Sequence, residues 1–177
     1  MVKSLIEFIK EESLELTESG LSRILHHNQS TEFGTISAAR PNKTPEQNKA
    51  DNKELETGLR SHGYGIKHLN GTWKNDDGSI SGEHSLMVMA RKQHQPGELL
   101  NHLKEYGKKY DQDAILHKSP TDEHAHVHGT SAREGAWPGD GKSADIGKIH
   151  FNNPKAFVKS SPTNKSGHFA YQTDDEL

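Results

Sequence analysis

Apolar positions in this chain change period several times, and each change marks an element. Leu5, Ile6, Phe8 and Ile9 recur at spacings of three and four and predict a short amphipathic helix, followed by an acidic stretch up to Gly20. A second short helix is expected over Leu21, Ile24 and Leu25, with Ser19 as its N-cap. Phe33–Ala39 alternates as a strand and stops at Arg40-Pro41-Asn42. Thr44, Pro45 and Gln47 then supply a capping box and a proline-led first turn for the next helix. Leu55 and Leu59 stand four apart on that helix and Gly63 ends it, while the other positions are mostly polar. One narrow stripe therefore faces inward.

Tyr64–Trp73 and Glu83–Arg91 read as two strands around the turn cluster Asn75-Asp76-Asp77-Gly78. The run Leu86-Met87-Val88-Met89-Ala90 is nearly continuous, which predicts a central strand covered on both faces. Leu99, Leu100, Leu103 and Tyr106 give helical spacing over about Pro96 to Lys109. Asp113–His117 and His124–Thr130 form a second hairpin around Ser119-Pro120-Thr121-Asp122. This order predicts an α+β fold, a mainly antiparallel sheet with two helices on one face. Short N-terminal helices precede it and a loop-rich C-terminal region follows. The chain divides into an amphipathic segment (1–18), an α+β core (19–130) and an extension (131–177). The extension is expected to be short strands and loops draped over the sheet, with a frayed acidic end at Asp174-Asp175-Glu176.

Composition narrows the function classes. Only 29% of the 177 residues are hydrophobic, so the core is small. No apolar run is long enough for a membrane span, and a membrane partner is not expected. The absence of Cys removes disulfides, thiolate nucleophiles and Cys-ligated metals. The net charge is -3, and Lys53, Lys67, Lys74, Arg91 and Lys92 make no basic stripe, so nucleic acid is not the expected partner either. No phosphate loop, dinucleotide-binding glycine pattern or Gly-x-Ser-x-Gly elbow occurs, and Gly139-Asp140-Gly141-Lys142-Ser143 reads as a loop. The sequence points to no particular cofactor.

Thirteen histidines carry most of the candidate chemistry. His124, His126 and His128 alternate with Ala125 and Val127, so the three imidazoles share one strand face, about 7 Å apart between neighbours. They are the candidate metal ligands, although a half-exposed strand with a histidine-rich outer face is the simpler reading. His117-Lys118-Ser119 and His128-Gly129-Thr130 share the His-x-Ser/Thr form of the 2H phosphoesterases. There, one histidine acts as general base and the other as general acid on a phosphodiester. On that reading His117 and His128 are catalytic, but the two motifs lie far closer together than in that family. Arg40, Asn48, Glu83, Ser85 and Gln112 could bind a small polar ligand if they converge. Caps, turns and surface ion pairs are the alternative for all five.

Two resemblances add context. Met1-Val2-Lys3-Ser4-Leu5-Ile6-Glu7-Phe8-Ile9-Lys10-Glu11 resembles the capsid-targeting peptide of internal head proteins in T-even-like tailed phages. The prohead protease of those phages cuts after Glu in Leu/Ile-x-Glu, which makes Glu11 and Glu18 the implied processing sites. The region from Leu21 to Gly141 is similar to a family of uncharacterised small proteins of tailed phages. That likeness rests on Leu21-Ser22-Arg23, Gly34-Thr35-Ile36-Ser37-Ala38-Ala39-Arg40, Gly82-Glu83-His84-Ser85, Tyr110-Asp111-Gln112-Asp113-Ala114-Ile115-Leu116 and Trp137-Pro138-Gly139. Many members carry a hydrophobic residue where His126 stands, which argues against a shared metal role. Together the resemblances imply a phage accessory protein packaged in the virion head and injected into the host cytoplasm. It would act by binding a host protein or defence factor, with the phage capsid or prohead protease as earlier partners. A phosphodiester- or nucleotide-directed enzyme using the histidine hairpin, or a structural virion component, are the alternatives.

Overall fold

The computed structural model describes residues 31–74, 80–151, 158–162 and 169–172, with side chains over 31–69 and 84–148. The two helices and the Asn75-Asp76-Asp77-Gly78 turn that the sequence predicts, with Glu11, Glu18 and the acidic C-terminal residues, lie outside the described residues. The described residues form eight strands: β1 (Phe33–Ile36), β2 (Gly65–Lys74), β3 (Ile80–Met89), β4 (Ala114–Lys118), β5 (His124–Gly129), β6 (Ser143–Phe151), β7 (Val158–Pro162) and β8 (Phe169–Gln172). Two helices, α1 (Pro45–Ser61) and α2 (Glu98–Lys109), separate β1 from β2 and β3 from β4.

The fold is α+β, as the order of elements predicts, and every strand pairing is antiparallel. The sheet closes into a barrel in the order β1-β3-β2-β7-β8-β6-β5-β4, with β1 returning to β4. Gly34 pairs with Val88 on one side and His117 on the other. The stretch after Ser131 differs from expectation: β6, β7 and β8 are staves of the barrel and do not drape over it. Strand β6 pairs with the preceding β5, but closure depends on β7 reaching back to β2, far away in sequence, which local alternation does not signal.

Barrel closure splits the core in two. Phe33, Leu69, Met87, Leu116, Ala125, Val127 and Ile146 fill the inside. Leu86, Val88 and Ile115, on the opposite strand faces, meet Leu55 and Leu59 of α1 and Leu99 and Leu103 of α2 outside. The run at Leu86-Met87-Val88 is therefore buried on both faces, as its continuity predicts. Each such side chain removed from water contributes about 1.5–3 kcal/mol.

Both helices are held where the sequence starts them. At α1 the Gln47 N–H donates to Thr44 Oγ1 (3.2 Å), and the Thr44 N–H donates to Gln47 Oε1 (2.9 Å), completing the capping box. Helix α2 sits directly on β1, because a Cβ at Gly34 would lie 2.4 Å from Leu103 Cδ1 and 2.4 Å from the Leu116 carbonyl oxygen. No helix among the described residues is long and apolar enough to cross a membrane.

Candidate functional site

Helix α1 has a second, polar stripe beside its leucines. Asn48, Lys49, Asn52, Lys53 and Glu56 follow Pro45 at intervals of three and one, and so track one flank of the helix. That flank forms one wall of a cleft of about 580 Å³. Ala39, His68 on β2 and His84 on β3 complete it.

The two asparagines fix the wall. Asn52 Oδ1 accepts the Ala38 N–H (2.9 Å), and Asn48 Oδ1 accepts the Arg40 N–H (2.8 Å). Asn48 Nδ2 also donates to the Arg40 carbonyl at 3.0 Å. The chain beyond β1 is thus paired to helix side chains in place of a strand. Ser37 Oγ ties it onward to the His84 carbonyl at 2.9 Å.

At the Glu56 end, ionisable groups connect in a row. Arg60 Nε donates to Glu56 Oε1 (2.8 Å), His68 Nε2 lies 3.3 Å from Glu56 Oε2, and His68 Nδ1 lies 3.1 Å from His84 Nε2. Burial alone would raise the Glu56 carboxyl, but the bonds and charges of Arg60 and His68 outweigh it and hold it below the usual carboxylate range. Burial, then His68, pushes His84 down, which keeps its imidazole neutral. The ionised Glu56 carboxylate can only accept, so His68 Nε2–H donates to it. Lys49 and Lys53 form no ion pair among the described residues.

The histidine hairpin lies elsewhere on the barrel. His117 and His128 do meet, with ring centroids 5.8 Å apart at 65°, on the outer face of β4 and β5. His117 is buried and its Nε2 lies 2.8 Å from Oε1 of buried Glu32, whose Oε2 accepts the Gly97 N–H at the start of α2 (3.2 Å). Burial lowers His117 despite Glu32. Burial, then Lys104, His117 and His126, brings His128 down to about 4. His124 Nδ1 contacts Asp145 (2.6 Å) and His126 Nε2 contacts Asp122 (2.8 Å). The alternation of His124, His126 and His128 against buried Ala125 and Val127 is as the sequence requires. Among the described residues, however, no three His, Cys, Asp or Glu side chains are grouped to hold a metal ion.

The ligand-pocket candidates whose side chains are described do not line one site. Arg40, Asn48 and Gln112 gather around the 38–40 segment, where Gln112 Nε2 donates to the Ala39 carbonyl (3.2 Å). The Arg40 guanidinium points to Asp111 (3.6 Å) and Asp113 (3.7 Å). Ser85 shares its strand face with Met87, inside the barrel, and the Glu83 side chain lies outside those described. Of the four whose side chains are described, Asn48 alone lines the cleft. Lys49, Asn52, Lys53, Glu56 and His68 were not singled out from sequence as site residues. The polar repeat along α1 was the signal that could have found them.

A cleft walled by a helix on the outside of a closed antiparallel barrel is a concavity of the size that takes a small molecule. The model of the S-adenosylmethionine lyase family matches residues 34–176, and the chain belongs to that family. The family is phage-associated, consistent with the tailed-phage likeness of the region from Leu21 to Gly141. No curated protein is significantly similar to the chain.

Proposed function

We propose that this protein is a phage accessory enzyme that breaks S-adenosylmethionine in the infected host, with the α1 cleft as its site. The family match over 34–176 carries this reading. Removing S-adenosylmethionine would counter host restriction-modification without capture of a host protein, which replaces binding by occupancy as the first mechanism to test. A lyase breaks a carbon–sulfur bond at the sulfonium without adding water. The bonding pair goes to sulfur, which becomes a neutral thioether. The carbon fragment is then satisfied from within the substrate, by loss of a neighbouring proton or by ring closure of its own carboxylate.

The chemistry of the cleft suits such a molecule. Lys49 and Lys53 offer cations to the amino-acid carboxylate, Glu56 offers an anion to the sulfonium, and His84, kept neutral by burial, offers an imidazole if a proton must be accepted. The test is incubation of the full chain with S-adenosylmethionine, followed by mass spectrometry. We expect a thioether and a dehydrated carbon fragment to accumulate catalytically. Substrate left intact at micromolar enzyme overturns the reading. Packaging is a separate part of the proposal. It predicts virion peptides beginning after Glu11 or Glu18, and absence of the protein from purified particles overturns it.

A further inference from the structure

We propose that Glu56 selects the charged sulfonium over neutral thioethers, and that it acts in binding and product release and not in bond breaking. This rests on the lyase reading of the same cleft. Glu56 is the one carboxylate among the residues lining the cleft, and the other charged lining groups are Lys49 and Lys53. The two lysines lie one and two turns N-terminal to it on the same flank of α1. A ligand lying along the helix therefore meets positive charge first and negative charge last. S-adenosylmethionine has the matching polarity, an anionic carboxylate at one end of its methionine chain and a cationic sulfur further along.

The Glu56 oxygens are already placed. Arg60 grips Oε1 and His68 holds Oε2, so the carboxylate is oriented before any ligand arrives. Two Arg60 nitrogens occupy Oε1, while Oε2 retains a lone pair for a second contact. The consequence for catalysis follows from charge. The positive charge on sulfur disappears as the bond breaks, so an anion beside it stabilises the ground state more than the transition state. Glu56 cannot speed the cleavage by attracting sulfur. It can favour entry of the cation and departure of the uncharged product. Arg60 moderates that attraction, since an unopposed carboxylate would hold the substrate more tightly and raise the barrier.

Two variants with opposite expected signs test this. Glu56→Gln should raise KM for S-adenosylmethionine about tenfold without lowering kcat. It should also abolish the preference for S-adenosylmethionine over S-adenosylhomocysteine, which differs by one methyl and the charge. Sinefungin, cationic at the same place without a sulfonium, should lose affinity in parallel with S-adenosylmethionine. Arg60→Ala should tighten both cationic ligands about threefold and leave S-adenosylhomocysteine unaffected. Thermal melts of both variants establish that the fold is intact. A Glu56→Gln protein that melts normally and keeps the wild-type preference overturns the proposal. If the wild type binds with a Glu56-dependent preference but turns nothing over, the lyase reading fails and the selectivity stands. If turnover occurs and the preference survives Glu56→Gln, the selectivity alone fails.

Discussion

Two histidine pairs on the outer surface of one barrel have opposite surroundings. His117 and His128 on β4 and β5 lie against Glu32 and near Lys104 of α2, and His117 is buried to 9% of its side-chain surface. His68 and His84 on β2 and β3 open to the cleft, and His68 retains 43% of its side-chain surface. The first pair joins elements: Glu32 connects His117 on β4 to the start of α2. The second pair joins a carboxylate to a cavity. Burial thus separates imidazoles that hold a fold from imidazoles that open to a cavity, and histidine patterns in the sequence do not carry that information.

The comparison breaks most sharply at Glu32. Glu32→Ala leaves the buried His117 and Gly97 N–H groups without their acceptor and should cost about 3 kcal/mol, read as a lower urea midpoint at unchanged slope. A loss below about 1 kcal/mol would mean that the bracket does not hold α2 to the barrel.

Acid sharpens the contrast next. His128 in the folded chain titrates at about 4 against 6.5 for a free side chain. Between those values the unfolded chain binds more protons, so stability is complete above pH 6.5 and drains as pH falls towards 4. His117, lowered by burial, adds to the same trend. His128→Gln should flatten this acid-side loss in melts taken across that range, and an unchanged slope would remove His128 as its source.

The smallest effect on stability belongs to the cleft pair. His68→Gln should alter unfolding free energy by no more than about 0.5 kcal/mol. It interrupts the row from Glu56 to His84, however, and should lower kcat/KM for S-adenosylmethionine about tenfold. A variant that loses stability and keeps its activity would reverse the assignment of the two pairs.

Local signals were legible and long-range ones were not. The capping box at Thr44 and Gln47, the inward Leu55 and Leu59, and the doubly buried run at Leu86 all follow from neighbours within one or two turns. The hairpin register sets His117 opposite His126, with His128 on the diagonal. Glu32, however, reaches His117 across 85 positions, and no local pattern announces that contact. The cleft was missed for a different reason. Its residues sit on an ordinary polar helix flank, where lysine, asparagine and glutamate usually signify nothing beyond solvent exposure. The barrel was missed because a strand's sequence indicates its faces but not which strand lies beside it.

That closure governs how the protein can be made. Strand β2 finds its outer neighbour in β7, where Leu69 pairs with Pro162, and β5 is linked through β6 to β8, which ends at Gln172. On the ribosome, the first staves must wait with bare edges until β7 and β8 have emerged. Such pairing over long stretches of sequence slows folding, and the arrival of those two strands sets when the ring can shut.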